Sequence, residues 1–262
     1  MQRSPLFIQS VEKAFRVLDV FSHSEQFLGL KEIATASGLD KSSAQRCTHT
    51  LIQLGYLEQD PRTSRFALGK RSLDLGFHYL RNHPLVAVGT PLLLQLRRDC
   101  GERTNLSLFD DLNLIYVIRL HGKREYPQYS TLIGRRMPTF CSAGGRAVLA
   151  HLPEGAMRDI IARSPRTPRT PDTLTDPDAI AAEVGKARAR GYGFVIGESA
   201  PNELTVAAAV LDAAGHPVAA VHIAGSLAKW SPTDYEPRFA PMVVEAARAL
   251  SHAGSLAGTG AV

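Results

Sequence analysis

The stretch LDKSSAQRCTHTLIQLGYLEQD, residues 39–60, joins an amphipathic helix to the first strand of a charged hairpin. Apolar residues recur within it at helical spacing and predict one buried face. These residues are Ala44, Cys47, Leu51 and Leu54. Asp40 precedes the helix, where a short oxygen acceptor satisfies backbone N–H groups that lack a partner inside the helix. The opposite face carries small, amide and basic side chains and is predicted to stay exposed.

Two amphipathic helices are predicted before this stretch, and a second strand is predicted after it. Residues 8–21 carry apolar side chains at the spacing of a helix, namely Val11, Ala14, Phe15, Leu18 and Phe21. The segment GLKEIATASG, residues 29–38, ends on a glycine, as helices often do. Residues 56–59 and 65–68 have the composition of two short strands. This order of helix, helix, tight turn, helix and hairpin is typical of a winged helix-turn-helix domain.

Basic residues outnumber acidic ones six to two between positions 41 and 71, while the whole chain has a formal net charge of +5. Such a local surplus favours contact with a polyanion. We therefore expect the third helix and the hairpin to bind DNA. The side chains expected at phosphates are Lys41, Ser42, Arg62 and Arg65, and those expected at base edges are Ser43, Gln45, Arg46 and His49. The alternative is a small helical bundle whose polar faces meet only water.

The pattern changes to strands after residue 102, following two further predicted helices, the second at residues 85–99. The predicted strands are TNLSLF (104–109), LIYVIRL (114–120), QYSTLIG (128–134), GYGFVIGE (191–198), ELTVAAAVLD (203–212) and HPVAAVHIAG (216–225). Helices are predicted at residues 143–151, 155–162, 178–190 and 234–251. The order of these elements predicts an α+β fold in which helices pack on an antiparallel sheet, rather than the alternating pattern of a parallel-sheet enzyme.

Three classes of protein find little support in the sequence. No apolar run approaches the roughly 20 residues that cross a bilayer, and the N-terminus lacks the apolar core of a signal peptide, so we expect a cytoplasmic protein that does not contact a membrane. Cys47, Cys100 and Cys141 are odd in number and widely spaced, which fits neither a disulfide framework nor a metal motif. The motifs of nucleotide-binding loops, zinc peptidases and serine hydrolases are absent. We therefore expect no enzymatic activity and no cofactor.

An ordered set of motifs resembles the isocitrate-lyase-regulator (IclR) family of bacterial transcription factors over nearly the whole chain. The motifs are LKEIATASGLDKSSAQRCTHTLIQLGYLEQDPRTSRFALG, CGERTNLSLFDDLNLIYVIRL, MPTFCSAGGRAVLAHLP, RGYGFVIGE and VAAAVLDAAGHPVAAVHIAG. In that family the N-terminal domain binds operator DNA and the C-terminal domain binds a small metabolite, often an organic acid. The segment PTFCSAGGRAVLA is most similar to the members that control catabolism of aromatic acids such as protocatechuate and 4-hydroxybenzoate.

The resemblance implies a specific organisation of the chain. A winged helix-turn-helix domain is expected at residues 1–70, a linker helix at 71–83, a GAF-like effector-binding domain at 84–254 and a flexible tail at 255–262. The partners implied are near-palindromic double-stranded operator DNA, a small organic-acid effector that is aromatic in this subgroup, and further copies of the chain in a homodimer or tetramer. Effector binding would shift the arrangement of the DNA-binding domains through the linker helix.

Candidate effector contacts lie in strands and at one helix start of the C-terminal half. The residues Ser142-Ala143-Gly144-Gly145 would open a helix whose unpaired N–H groups favour a carboxylate, although the glycines would equally allow close helix–sheet packing. Where the family often has hydroxyl residues on a strand and an acidic cluster after RGY, this chain has His222, Ala224 and a single Glu198, which favours a larger, flatter ligand. The expected contacts are Leu106, Arg119, Cys141, Ser142, Ala143, Gly144, Glu198, Thr205, Ala207, His222 and Ala224.

Several of these residues have a second interpretation. Arg119 would either bind a carboxylate through two hydrogen bonds or form an exposed ion pair at the sheet edge. Glu198 would either meet a ligand hydroxyl or pair with a surface cation, and His222 would either contact the ligand or be a satisfied core histidine. A metal-responsive regulator would use Cys141, Glu198 and His222 as ligands. A hydrolase-like enzyme would use Ser142, His222 and Glu198, without the nucleophile motif of that class.

Overall fold

The computed structural model describes residues 4–22, 27–122 and 133–256. The chain divides into two compact units, Met1–Tyr79 and Leu80–Val262. No helix within the described ranges combines the length and the apolar character that a membrane span requires.

The N-terminal unit contains the predicted three helices and hairpin. The helices are α1 (Gln9–Asp19), α2 (Leu30–Ser37) and α3 (Lys41–Gln53), and the antiparallel strands are β1 (Leu57–Gln59) and β2 (Phe66–Leu68). Leu28 forms an isolated bridge with Phe66, which adds a third extended segment to the hairpin. Helix α4 (Ser72–Asn82) follows the hairpin. This architecture confirms the predicted winged helix-turn-helix.

One side chain from each helix and strand of the motif forms the core of this unit, namely Val17, Ile33, Leu51, Leu57 and Phe66. Two details of the predicted apolar faces are wrong. Thr48 is buried in α3, whereas Leu54 is 46% exposed. In α1, Val11 and Phe15 are about half exposed, because only a narrow stripe of this helix meets α2 and α3. The uncovered apolar residues lie along a surface groove that is described below.

The turn between α2 and α3 is fixed by local hydrogen bonds. Gly38 adopts a φ of 62°, a left-handed conformation that glycine tolerates and other residues rarely adopt. The Asp40 side chain accepts a hydrogen bond from the backbone N–H of Ser43 at 2.8 Å and so begins α3, as predicted. These two residues set the angle at which α3 leaves the turn.

The C-terminal unit is an antiparallel sheet covered by helices, which confirms the predicted α+β fold. Its strands are β3 (Arg103–Asp110), β4 (Asn113–Leu120), β5 (Arg136–Pro138), β6 (Gly193–Ile196), β7 (Glu203–Leu211) and β8 (Pro217–Ser226), in the spatial order β5-β4-β3-β8-β7-β6. Its helices are α5 (Pro84–Cys100), α6 (Ala143–Leu149), α7 (Glu154–Arg163), α8 (Pro177–Arg190) and α9 (Pro232–Leu256).

The two faces of this sheet differ in chemistry. One face carries Leu106, Val221 and Ile223 and packs against α5 and α9 in the main apolar core. The other face is partly covered by α6, whose Val148 packs on Leu114. Because side chains alternate along a strand, the residues between the core positions of β3 and β8 all point to the α6 face.

The structure differs from the predicted elements in two places. Most of the predicted strand QYSTLIG lies outside the described residues, and the neighbouring strand β5 was not predicted. The last helix extends to Leu256, so it includes two residues of the expected tail, and residues 257–262 lie outside the described part of the chain. Residues 164–176 lack helix and strand but are held by side-chain hydrogen bonds.

Candidate functional site

The exposed face of α3 groups most of the residues predicted to bind DNA. Successive helical residues are separated by about 100°, so Ser42, Gln45, Arg46 and His49 fall within an arc of roughly 100°. All four side chains are exposed, and so is Lys41 at the helix start. Gln45 and His49 also line a cleft of about 490 Å³ between α3 and the hairpin. An exposed helix of this kind fits into a major groove, and a hairpin beside it can contact the flanking phosphates.

Ser43 does not belong to this face, so its predicted base contact is not supported. Its backbone N–H is bound by Asp40, and its half-buried side chain lines a groove between α3 and α1. The helical arc explains the difference, because position 43 lies about 100° from position 42 in the direction away from His49. The exposed polar face of α3 therefore includes fewer residues than the sequence predicted.

The two arginines of the hairpin, Arg62 and Arg65, differ in their contacts. Arg62 is exposed at the turn, where its backbone N–H donates to Asp60 Oδ1 at 2.8 Å. Arg65 instead donates from Nε and Nη2 to the carbonyl oxygen of Phe27, at 3.2 and 2.9 Å, and from Nη2 to Glu32 Oε2 at 2.9 Å. Arg65 thus fastens the hairpin to the start of α2, a structural role that the sequence prediction missed.

A set of polar side chains occupies the α6 face of the C-terminal sheet, and we call it the polar sheet face. Its members are Arg103, Asn105, Ser107, Tyr116, Arg119, Glu203, Thr205 and His222. Cross-strand pairing brings them together: Asn105 is the register partner of both Arg119 and His222, and Thr205 is that of Ala224. Of the members of the polar sheet face, Arg119, Thr205 and His222 were predicted as effector contacts, and so was Ala224, the register partner of Thr205.

His222 is a buried, neutral member of the polar sheet face. Its side chain is 1% exposed, and its Nε2 lies 2.7 Å from Ser107 Oγ. Burial, followed by the positive charges of Arg119 and Arg103, lowers the pKa of His222 to about 3. Its ring also lies against Gly144, where a Cβ atom would approach within 2.2 Å. The histidine is therefore satisfied by a protein partner and also borders the polar cluster.

Arg119 carries the unsatisfied charge of the cluster. Its Nε and Nη1 atoms are buried and have no hydrogen-bond partner among the described residues. Its guanidinium lies 4.7 Å from the centre of the Tyr116 ring, and burial lowers its pKa from the usual arginine range. Arg103, in contrast, forms an ion pair with Glu203. The exposed ion pair at the sheet edge, one of the two interpretations of Arg119, is not seen within the described residues, and the charge lies on the polar sheet face.

The residues at the start of α6 are hydrogen-bonded and packed within the protein. Ser142 Oγ accepts from the backbone N–H of Gly145 at 3.2 Å and donates to the Pro138 carbonyl oxygen at 2.8 Å. A Cβ atom at Gly145 would come within 2.1 Å of the Thr139 carbonyl oxygen. Ala143 packs with Val195 and Ala207 beneath the helix. Close helix–sheet packing, the alternative interpretation of these small residues, accounts for Ser142, Ala143, Gly144 and Ala207.

The remaining predicted contacts have other partners. Both carboxylate oxygens of Glu198 bind the guanidinium of the buried Arg146, at 2.7 and 2.8 Å, so the expected surface cation is in fact an interior one. Cys141 is a free, fully buried thiol in an apolar cluster, and burial raises its pKa to about 11. Leu106 points into the main core on the opposite sheet face. None of the three is a member of the polar sheet face.

A metal site has no support in this part of the molecule. No group of three or more His, Cys, Asp or Glu side chains within the described residues is arranged to hold a metal ion. The proposed donors are engaged separately, because Glu198 binds Arg146 and His222 contacts Ser107. The metal-responsive alternative is therefore not supported. The hydrolase-like set of Ser142, His222 and Glu198 is not supported either, because Glu198 and His222 are bonded to other residues.

Residues missed by the sequence prediction include Arg103, Asn105 and Ser107, which alternate along β3. In RTNLSLF, polar residues occupy every second position opposite Thr104, Leu106 and Leu108, and this period of two indicates one polar and one core face. The pairing partners of these residues could not be read in the same way, since Glu203 is one hundred positions away from Arg103.

Comparison with known proteins assigns the chain to a family. A model of the C-terminal domain of the bacterial transcriptional regulator IclR matches residues 77–252, and a model of the IclR helix-turn-helix domain matches residues 10–61. The chain belongs to the IclR family of bacterial transcriptional regulators. It is thus a ligand-responsive DNA-binding regulator and not an enzyme.

Individual relatives agree with this assignment. The Pca regulon regulatory protein of Pseudomonas putida is 28% identical over 248 residues, which cover 95% of this chain and 84% of the relative. The IclR family regulator of Brucella abortus superposes with a TM-score of 0.81 at 26% identity, over 97% of this chain and 95% of that one. An IclR homologue of Microbacterium hydrocarbonoxydans complexed with 4-hydroxybenzoate has a TM-score of 0.76 at 21% identity, over 95% and 100% of the two chains, and shares the fold.

Proposed function

We propose that this IclR-family protein controls transcription in the cytoplasm in response to a small carboxylic acid, aromatic in character, whose carboxylate is held by Arg119. The observation that carries the proposal is the partly buried guanidinium of Arg119, whose Nε and Nη1 have no hydrogen-bond partner within the described residues. A buried cation without a partner is unfavourable, and a carboxylate satisfies it with charge-assisted hydrogen bonds.

The charges around Arg119 also favour an anionic ligand. The positive charges of Arg103 and Arg135 and the negative charge of Glu203 all act on Arg119. Because Glu203 is paired with Arg103, positive charge remains in excess. The Tyr116 ring beside Arg119 adds a flat apolar surface. An aromatic acid agrees with this chemistry and with the ligand of the Microbacterium homologue.

Two apolar surfaces of the N-terminal unit support a homodimer. A groove of about 730 Å³ lies between α1 and α3, and exposed apolar side chains lie just before α1, along α1 and along α4. They are Leu6, Phe7, Ile8, Val11, Phe15, Leu73, Leu75, Phe77 and Tyr79. Apolar patches of this extent on a soluble unit mark an interface. A two-fold dimer would place two α3 helices on the half-sites of a near-palindromic operator.

Calorimetric titration of the purified full-length protein with benzoate, the hydroxybenzoates and aliphatic acids tests the ligand class. We expect at least one aromatic carboxylate to bind, and Arg119→Gln to weaken that binding by at least tenfold, because the variant has a polar but uncharged side chain in place of the guanidinium. Arg136→Gln is the matched control, since Arg136 is an exposed arginine that pairs with Asp110. Equal affinity in the wild type and Arg119→Gln would refute the proposed carboxylate contact.

A further inference from the structure

Asn105 lies at the centre of the polar sheet face. It is the register partner of His222 on β8 and of Arg119 on β4, so its side chain lies on the same face as both. Paired residues in an antiparallel sheet have Cα atoms about 4.5–5.5 Å apart. If Arg119 binds one group of a ligand, the adjacent atoms of that ligand therefore lie close to the Asn105 amide.

The carbonyl oxygen of the Asn105 amide is unsatisfied, although the neighbouring polar side chains on β3 are bonded within the protein. Asn105 is 2% exposed, and its Oδ1 has no hydrogen-bond partner within the described residues. Its neighbours on the same strand are already bonded, Arg103 to Glu203 and Ser107 to His222. Buried polar atoms in native proteins are nearly always hydrogen-bonded, so this one indicates a group that the protein itself does not supply.

A ligand hydroxyl fits the Asn105 amide. The oxygen and nitrogen of an asparagine amide can exchange positions by rotation, so the site offers both an acceptor and a donor. A hydroxyl can both donate and accept, whereas an unsubstituted ring or alkyl carbon can do neither. A ligand that filled the site without a hydroxyl would leave the amide unsatisfied, which costs binding free energy.

We propose that Asn105 is a specificity-determining residue that selects hydroxylated carboxylates over the corresponding unsubstituted acids. This inference rests on the proposed function, since it assumes that Arg119 holds the carboxylate. It goes further by assigning the second polar contact and by dividing the carboxylates into those that the site favours and those that it rejects.

Matched pairs of ligands test the assignment by calorimetry. Benzoate is compared with its three monohydroxy isomers, and propionate with lactate, on the full-length wild type and on Asn105→Leu. We expect one hydroxylated acid to bind the wild type at least tenfold more tightly than its unsubstituted partner. In Asn105→Leu the dissociation constants of the two acids should differ by no more than about threefold, mainly because the hydroxylated acid binds less tightly.

Thr104→Val provides the matched control. Thr104 is the neighbouring buried residue on β3, but it points to the opposite face and donates to the Leu93 carbonyl oxygen at 3.3 Å. This variant should keep the wild-type preference, which separates a specific loss from general damage to the strand. Asn105→Ala removes the amide without adding branching and replaces Asn105→Leu if the latter fails to fold.

The possible results separate this inference from the proposed function. If no carboxylate binds the wild type, the proposed function fails and the role of Asn105 fails with it. If carboxylates bind but the wild type shows no preference for a hydroxyl, as expected when a bound water satisfies the amide, only the role of Asn105 is refuted. Retention of the full preference in both Asn105 variants would refute it as well.

Discussion

Arg46 and Arg62 present positive charge from two elements that we expect to contact DNA in different ways. Arg46 lies on the exposed face of α3, from which a guanidinium can bind the O6 and N7 atoms of guanine. Arg62 lies at the hairpin turn, where phosphates are the expected partners. Arg46→Ala should therefore reduce discrimination between the operator and altered sequences by about 1–3 kcal/mol at one base position. Fluorescence anisotropy with operator DNA and single-base variants measures this loss.

Arg62→Ala should weaken binding to all sequences alike and lower the salt dependence of the affinity, by about 0.9 in the log–log slope for each phosphate contact removed. Arg65→Ala is less informative about DNA, because it also releases the hairpin from Phe27 and Glu32. If Arg46→Ala lost affinity uniformly and Arg62→Ala lost discrimination, the two assignments would be reversed.

His222 gives the C-terminal unit a specific dependence on pH. Its folded-state pKa of about 3 lies far below the roughly 6.5 of an unfolded histidine. The unfolded chain therefore binds a proton that the native state does not, and stability falls as pH decreases from about 6.5 towards 3. Between pH 6 and pH 5 the wild type should lose about 1 kcal/mol more than His222→Gln.

Urea unfolding followed by fluorescence measures this difference, since Trp230 is the single tryptophan of the chain and lies in the C-terminal unit. His49→Gln, at an exposed histidine of α3, should retain the wild-type dependence on pH. Parallel pH profiles for the wild type and His222→Gln would show that His222 is not the buried neutral group described above.

At the scale of elements, the sequence predicts what local chemistry determines. Asp40 and Gly38 define the turn before α3, because a capping side chain and a left-handed glycine act on their own backbone. The strands β7 and β8 follow from composition and the turn between them. Contacts with partners far away along the chain were not predicted. Arg65 binds Glu32, 33 positions away, and Glu198 binds Arg146, 52 positions away.

The Arg146–Glu198 pair holds three elements of the C-terminal unit together. Arg146 projects from α6, Glu198 follows β6, and the same carboxylate accepts the backbone N–H of Leu174 at 3.0 Å from the irregular segment 164–176. Both side chains are at least nine-tenths buried. Arg146→Met should cost about 3–5 kcal/mol of stability, because it leaves a buried carboxylate without its counter-ion.

The double variant Arg146→Met, Glu198→Leu should be less destabilised than the sum of the two single variants, since it removes both charges. Unfolding followed through Trp230 fluorescence supplies all three free energies. Additive losses would mean that the two groups do not interact in solution. Arg158→Met is the control, as Arg158 is a half-exposed arginine whose pairs with Glu154 and Asp178 lie at the surface.

At the scale of the molecule, we expect effector binding and DNA binding to be linked through the relative stability of two states. A ligand shifts that equilibrium only by its difference in affinity for the two arrangements, and DNA binding must in turn change the ligand affinity by the same factor. Helix α4 crosses the boundary between the two units and begins directly after the hairpin. At its start, Arg71 donates to the Leu54 carbonyl oxygen at 2.9 Å and stacks on Tyr56. A shift of α4 would therefore displace Arg71 and change its contacts with the residues that follow α3.

The most direct test is the affinity of the full-length protein for its operator, with and without the tightest-binding aromatic carboxylate, in the wild type and in Arg119→Gln. The account predicts that the ligand changes the DNA dissociation constant of the wild type by about fivefold or more. It predicts equal DNA affinity for both proteins without ligand, and no ligand effect in the variant. A ligand effect of the same size in Arg119→Gln, or none in the wild type, would contradict it.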